Sequence, residues 1–284
     1  IEWGGSGLVC GVHEGCLSAL EPPLAKQDGR QGRGPEQMSR KRTIQAIMRW
    51  PRSCTDRPML PRSLHLTFHG LGEPPAAVPA WERSYWLPPD VFARCVAVSA
   101  ALEHSHGIDI RFTFDDGNVS DHRVGLARLA ETGRTASFFI VADRINQGGY
   151  LCPTLIKELV AAGMEVGSHG STHRDLRTLS DAELRSETAG SRARIEDATG
   201  AAVNAFSVPF GLYDRRVIAA AFAAGYERGY TSSGGFSTAA SGLIPRTSLK
   251  TGFEPEADLP RLARLGSRVR SAILDRGRRF KNGF

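Results

Sequence analysis

Two adjacent carboxylates close an apolar run at Thr113-Phe114-Asp115-Asp116-Gly117. Two ionised carboxylates side by side repel, so a confined site holding both calls for a cation or a shared proton. An Asp-Gly turn, chosen for its backbone geometry, would account for the pair equally well. Farther along, Ser168-His169-Gly170-Ser171-Thr172-His173 sets two imidazoles four residues apart, directly after a second apolar run. On a helical turn that spacing presents both rings to one ion. One carboxylate and two imidazoles, with positions left for water, make a divalent-metal triad used by zinc hydrolases and ferrous oxygenases alike. A third stretch, Phe206-Ser207-Val208-Pro209-Phe210-Gly211, reads as a strand end and turn or as the rigid aromatic wall of a substrate groove.

The elements that must position these residues follow from the pattern of the chain. Short β-rich runs fall at 64–68, 108–114, 136–141, 164–168, 203–208, 228–232 and 243–246. Helix-like segments lie between most of them, at 88–104, 119–132, 153–162, 180–199 and 214–224. Pro153 suits a first helical turn, and Ser180-Asp181-Ala182-Glu183 matches a capping box. Gly163 and Gly200 fall where helix C-terminal caps belong. Such alternation means a mainly parallel sheet with helical crossovers, either a barrel or an open doubly wound sheet. In both, active residues gather at the carboxyl ends of the strands, and each of the three stretches above follows a run.

Composition excludes several classes. The chain has 284 residues, 41% hydrophobic and 23% charged, which is ordinary globular usage. No apolar run approaches the length of a membrane-spanning helix. The net charge of +6 is terminal: 1–62 carries +4 and 260–284 carries +7, while the stretch between them carries −5. A nucleic-acid groove needs basic residues clustered in the folded body, so no nucleic-acid partner is expected. The 5 cysteines, Cys10, Cys16, Cys54, Cys95 and Cys152, are odd in number and irregularly spaced, which fits reduced thiols. The longest apolar stretch near the start, 7–12, is short and flanked by Glu2 and Glu14, unlike a secretory signal. A cytoplasmic setting is the expectation.

Taken together, TFDDG, then His-x-x-x-His about 50 residues on, then Pro-Phe-Gly 36 residues after that, resembles the polysaccharide deacetylase family, the NodB-homology domain of carbohydrate esterase family 4. The resemblance runs from about Leu64 to Phe253. It implies a distorted (β/α)7 barrel of the NodB type in a bacterial enzyme that uses one divalent metal ion to remove N-acetyl groups from an N-acetylated glycan. Zinc is the default ion, with cobalt, nickel, manganese and iron as alternatives for two imidazoles and one carboxylate. Carried over, Asp115 matches the catalytic base, and Asp116, His169 and His173 match the metal ligands. Pro209 and Phe210 match the groove motif.

Two departures stand out. The family's groove motif usually opens with an arginine that orients the base, and here that position is Ser207. Some relatives carry the arginine on a late strand, a place Arg246 in Ile244-Pro245-Arg246-Thr247 would fill. The family's last motif usually supplies a histidine that protonates the leaving amine, yet no histidine follows His173. His69, in Thr67-Phe68-His69-Gly70, is the other histidine at an expected strand end and the candidate for that role. These departures leave two other readings: a glycan-binding protein that kept its metal triad, and a hydrolase of a non-carbohydrate amide.

The expected organisation is an irregular N-terminal extension over 1–62, with a short helix at 40–49, a catalytic domain over 63–257 and a basic helix over 258–284. In that last stretch Leu262, Leu265, Val269 and Ile273 recur at near-helical spacing among arginines, a pattern suited to capping the domain or to peripheral contact with an anionic membrane. The sequence leaves the oligomeric state open.

Overall fold

The structure, a computed structural model, describes residues 62–76, 78–238 and 242–282. The expected N-terminal extension up to residue 61, its helix at 40–49, and Cys10, Cys16 and Cys54 lie outside them. Cys95 and Cys152 are free thiols.

All seven β-rich runs form strands: β1 (Ser63–Phe68), β2 (Asp109–Phe114), β3 (Ala136–Ile140), β4 (Glu165–Ser168), β5 (Ala205–Ser207), β6 (Arg228–Thr231) and, after a two-residue strand β7 (Phe236–Ser237), β8 (Leu243–Ser248). Parallel pairing runs β2-β3-β4-β5-β6-β8-β1, and β1 pairs with β2, so the sheet closes on itself. The open doubly wound alternative is thereby settled in favour of a seven-stranded barrel. The barrel is distorted where β4 and β5 share one paired position, Ser168 with Phe206. β7 is antiparallel to β1 and was not legible in the sequence, since two residues carry no period.

Around the barrel lie α1 (Pro89–His106), α2 (Ala127–Glu131), α3 (Pro153–Ala161), α4 (Asp181–Arg185), α5 (Ser191–Thr199), α6 (Arg215–Ala223), α7 (Pro255–Ala263) and α8 (Leu265–Asn282). The capping box forms: the Glu183 N–H donates to Ser180 Oγ, and the Ser180 N–H donates to Glu183 Oε2 at 2.9 Å. Two expected helices contain wide turns, at Asp121–Leu126 before α2 and at Ser186–Gly190 between α4 and α5. In the first, Gly125 passes so close to the barrel that a Cβ there would lie 2.9 Å from Phe114 Cζ. The expected C-terminal helix is two helices, because Arg264 is extended (φ −55°, ψ 146°). Leu259 and Ala263 of α7 are buried, whereas Leu265, Val269 and Ile273 of α8 are exposed.

The two faces of each strand explain the packing. Phe68, Phe112, Phe114 and Phe138 point outward and, with Phe92 of α1, form the core between barrel and helices. Phe114 and Phe138 stack at 4.7 Å, and Phe68 meets Phe92 edge-on at 4.9 Å. Burying each such ring is worth roughly 2–3 kcal/mol. The inner face is tighter. A Cβ on Gly167 would lie 2.5 Å from Phe139 Cδ1 and 2.9 Å from the Ala205 carbonyl, so β4 admits the Phe139 ring only with glycine there.

Candidate functional site

The ends of β2 and β4 deliver their side chains to a common point. The Asp115 N–H still donates to the Phe68 carbonyl at 2.9 Å, and the His169 N–H to that of Ile140 at 2.8 Å, so both residues leave their strands in sheet register. Asp116 then takes the left-handed backbone (φ 76°) that turns its carboxylate inward, and His173 does the same (φ 57°). Asp116, His169 and His173 offer ligand atoms that all lie within 4.8 Å of one another. His173 Nε2 is 3.5 Å from Asp116 Oδ1.

This donor set fits a divalent ion. The Nδ1 of His169 pairs with the Ser207 carbonyl at 2.9 Å, an acceptor that requires Nδ1–H and leaves the Nε2 lone pair free. Burial pushes His169 down to about 4, and burial followed by the Arg144 charge does the same to His173. Both imidazoles are therefore neutral, the form that ligates. Arg144, which the sequence did not single out, donates to Asp116 Oδ1 at 2.9 Å.

Beside this cluster lies a buried ion pair. The side chain of Arg246, fully buried, rises from β8 through the barrel interior, its guanidinium 5.1 Å from the Phe139 ring centroid and 5.7 Å from that of Tyr230. Its two terminal nitrogens donate to Asp115 Oδ1 at 2.6 Å and Oδ2 at 2.7 Å. The second also donates to Ser207 Oγ at 2.6 Å, and Ser207 Oγ donates to Asp115 Oδ2 at 3.3 Å. Burial alone would raise the Asp115 pKa, but the Arg246 charge, then His169 and the Arg246 hydrogen bonds, hold it well below the usual carboxylate range. Asp115 Oδ2 lies 3.6 Å from His169 Nε2 and 4.0 Å from His69 Nε2.

The cleft over these groups is walled by Phe210, 42% exposed, whose ring centroid lies 4.5 Å from that of His173. Pro209, its neighbour, is buried and is not among the residues lining the cleft. The segment between β1 and α1 adds residues that sequence reasoning missed. Trp81, 57% exposed, stands 5.7 Å from the Phe210 ring; Tyr85 stands 4.9 Å from the His69 ring. Glu82 also lines the cleft, its pKa raised by burial and then by Asp116. No periodicity marks a loop of this kind, so it carried no signal.

The molecule is thus a closed parallel (β/α)7 barrel with a two-imidazole, one-carboxylate cluster at its carboxyl ends that could hold a divalent ion. Residues 104–229 match the family model for polysaccharide deacetylase. A chitooligosaccharide deacetylase of Bradyrhizobium sp. (strain ANU 289) is 32% identical over 119 residues, 41% of this chain and 52% of that protein. Chitin deacetylase 1 of Cryptococcus neoformans var. grubii is 26% identical over 164 residues, 51% of this chain and 34% of that protein. The chain thus spans about half or less of the length of these curated relatives. Among solved structures, the Streptococcus pyogenes deacetylase PplD in complex with acetate has a TM-score of 0.61 at 18% identity, covering 72% of this chain and 99% of that one. BC0361, a polysaccharide deacetylase from Bacillus cereus, has a TM-score of 0.60 at 20% identity, covering 71% and 69%. Over residues 104–229 this chain is thus similar to the polysaccharide deacetylase family. The family match stops short of β1, the loop bearing Trp81, and β8 with Arg246.

Among the described residues no helix is long and apolar enough to cross a membrane.

Proposed function

We propose that this chain is a metal-dependent carbohydrate N-deacetylase, hydrolysing the acetamide of an N-acetylated glycan to acetate and a free amine. The observation that carries the reading is the Asp115 carboxylate, fixed on both oxygens by Arg246 and set 3.6 Å from an imidazole of the Asp116/His169/His173 cluster. Asp116, His169 and His173 would hold the ion, for which zinc is the default; when bound it supplies Lewis-acid polarisation and makes water a better nucleophile at neutral pH.

The chain's own residues divide the remaining work. Asp115 takes the proton from the attacking water, and Arg246 keeps its carboxylate ionised and aimed into the cleft. The Phe210 N–H is the backbone donor offered to the developing oxyanion. His69, at the edge of the same carboxylate, returns a proton to the nitrogen as the carbon–nitrogen bond breaks. Phe210 and Trp81 hold the sugar ring. A catalytic domain over 63–257 and a basic C-terminal stretch over 258–284 complete this reading. A glycan-binding protein without turnover would have no use for a buried, arginine-locked carboxylate beside the cluster, and that favours the enzyme.

The test is acetate release from chitin oligosaccharides by metal-reconstituted protein, with His169→Ala/His173→Ala as control. Release that requires both histidines supports the proposal. Stoichiometric metal without acetate release would transfer the site to another amide or to binding, and absence of metal binding would defeat it.

A further inference from the structure

His169 and His173 flank a three-residue loop, Gly170-Ser171-Thr172, with no regular structure to hold it. A buried carboxylate holds it instead. Glu187, 2% exposed, projects from the wide turn Ser186–Gly190 between α4 and α5. Its Oε2 accepts the Ser171 N–H at 2.7 Å and the Thr172 N–H at 3.1 Å, and its Oε1 accepts the Thr172 hydroxyl. Arg174 completes the arrangement: its Nε donates to Thr172 Oγ1 at 3.0 Å, and its Nη2 lies 3.9 Å from Glu187 Oε1. The opposite edge of the loop is tied down as well. The Gly170 and Ser171 carbonyls accept from the N–H groups of Ala142 and Asp143, each at 3.0 Å. Gly170 itself has φ +80°, and a Cβ there would sit 2.9 Å from Glu187 Oε2, so the carboxylate fills the space a larger residue would need.

A buried carboxylate is costly unless every oxygen is used, and here the compensating donors are the loop's own backbone. We propose that Glu187 is a positioning residue that fixes the angle between the two imidazoles by bonding the backbone between them. It touches no ligand atom. Its effect is to hold His173 in its left-handed conformation (φ 57°) without cost at the moment the ion binds. The wide turn in the helix is what brings this side chain to the loop, a common place for such local distortions of a helix to be used. The inference rests on the metal reading above.

The test uses the full chain as wild type, Glu187→Ala and Glu187→Gln, with cobalt and zinc as probes. Affinity is measured by competition with a chromogenic chelator below the unfolding temperature of each metal-free protein, alongside the visible spectrum of the cobalt form. Glu187→Ala is expected to weaken binding about tenfold or more and to shift the cobalt bands. Glu187→Gln, which still offers an acceptor to both N–H groups and can donate to the Thr172 hydroxyl, is expected to recover most of both. Wild-type affinity and spectrum in Glu187→Ala would overturn the proposal, as would a loss that Glu187→Gln does not recover. Should Glu187→Ala not fold, Thr172→Val carries the test: a smaller loss of affinity supports the proposal and unchanged affinity overturns it. A wild-type protein that binds neither ion defeats the metal reading itself, a result distinct from variants that bind as the wild type does.

Discussion

The Arg246 guanidinium meets the Asp115 carboxylate end to end, nitrogen to oxygen at 2.6 Å and 2.7 Å, across 131 residues of sequence. Neither side chain is tolerable in the barrel interior without the other. A buried carboxylate that loses its partner leaves an uncompensated charge, whereas the intact pair engages both carboxylate oxygens and both terminal guanidinium nitrogens.

Replacing Arg246 separates charge from geometry. Arg246→Ala is expected to destabilise the fold by about 3–5 kcal/mol, read from denaturant unfolding. Arg246→Lys keeps the charge but loses the planar fork, so it should fold while kcat falls by about tenfold or more. Arg246→Met combined with Asp115→Asn should regain much of the lost stability and show no turnover. A fully active Arg246→Lys would remove the orienting role.

The exposed ring of Trp81 next to Phe210 has no part in the core. Trp81→Ala should therefore leave the unfolding midpoint unchanged and raise KM for a chitin oligosaccharide about tenfold, with kcat altered by less than about threefold. An unchanged KM would place the sugar elsewhere in the cleft.

His65 lies on the inner face of β1, where burial and then the Arg246 charge push it down to about 3. Its unfolded pKa is about 6.5, so on acidification the unfolded chain takes up the proton first. Stability present above about pH 6.5 is then lost progressively as the pH falls toward 3. In metal-free protein, His65→Gln should flatten the dependence of unfolding free energy on pH by up to about 1.4 kcal/mol per pH unit between pH 6 and 4.5. Equal slopes in the two proteins would mean that His65 is not held neutral.

Local spacing made much of this molecule legible. Asp115 and Asp116 close one strand and His169 closes another, and because parallel strands in a barrel end on the same side, that placement alone brings them together. The strand and helix positions followed from period and capping, as at Ser180 and Glu183. Arg246 was legible as a candidate, but a single arginine on a strand reads as a surface charge until its partner is known. Glu187 gave no signal at all, since its value lies in the N–H groups of Ser171 and Thr172 and not in its own neighbours in sequence.

What the sequence by itself determined is thus the set of short-range facts: seven β-rich runs, the helices between them, and the residue types at the strand ends. These depend on periodicity and on backbone preferences of a few adjacent residues. The tertiary structure alone decided closure of the sheet through β1 pairing with both β2 and β8, the Arg246–Asp115 pair, the reach of Glu187 to the histidine loop, and the approach of Trp81 to Phe210. Each of these joins segments far apart in the chain, and its energy comes from burial and mutual satisfaction of charge. Neither exists until the chain has closed around it.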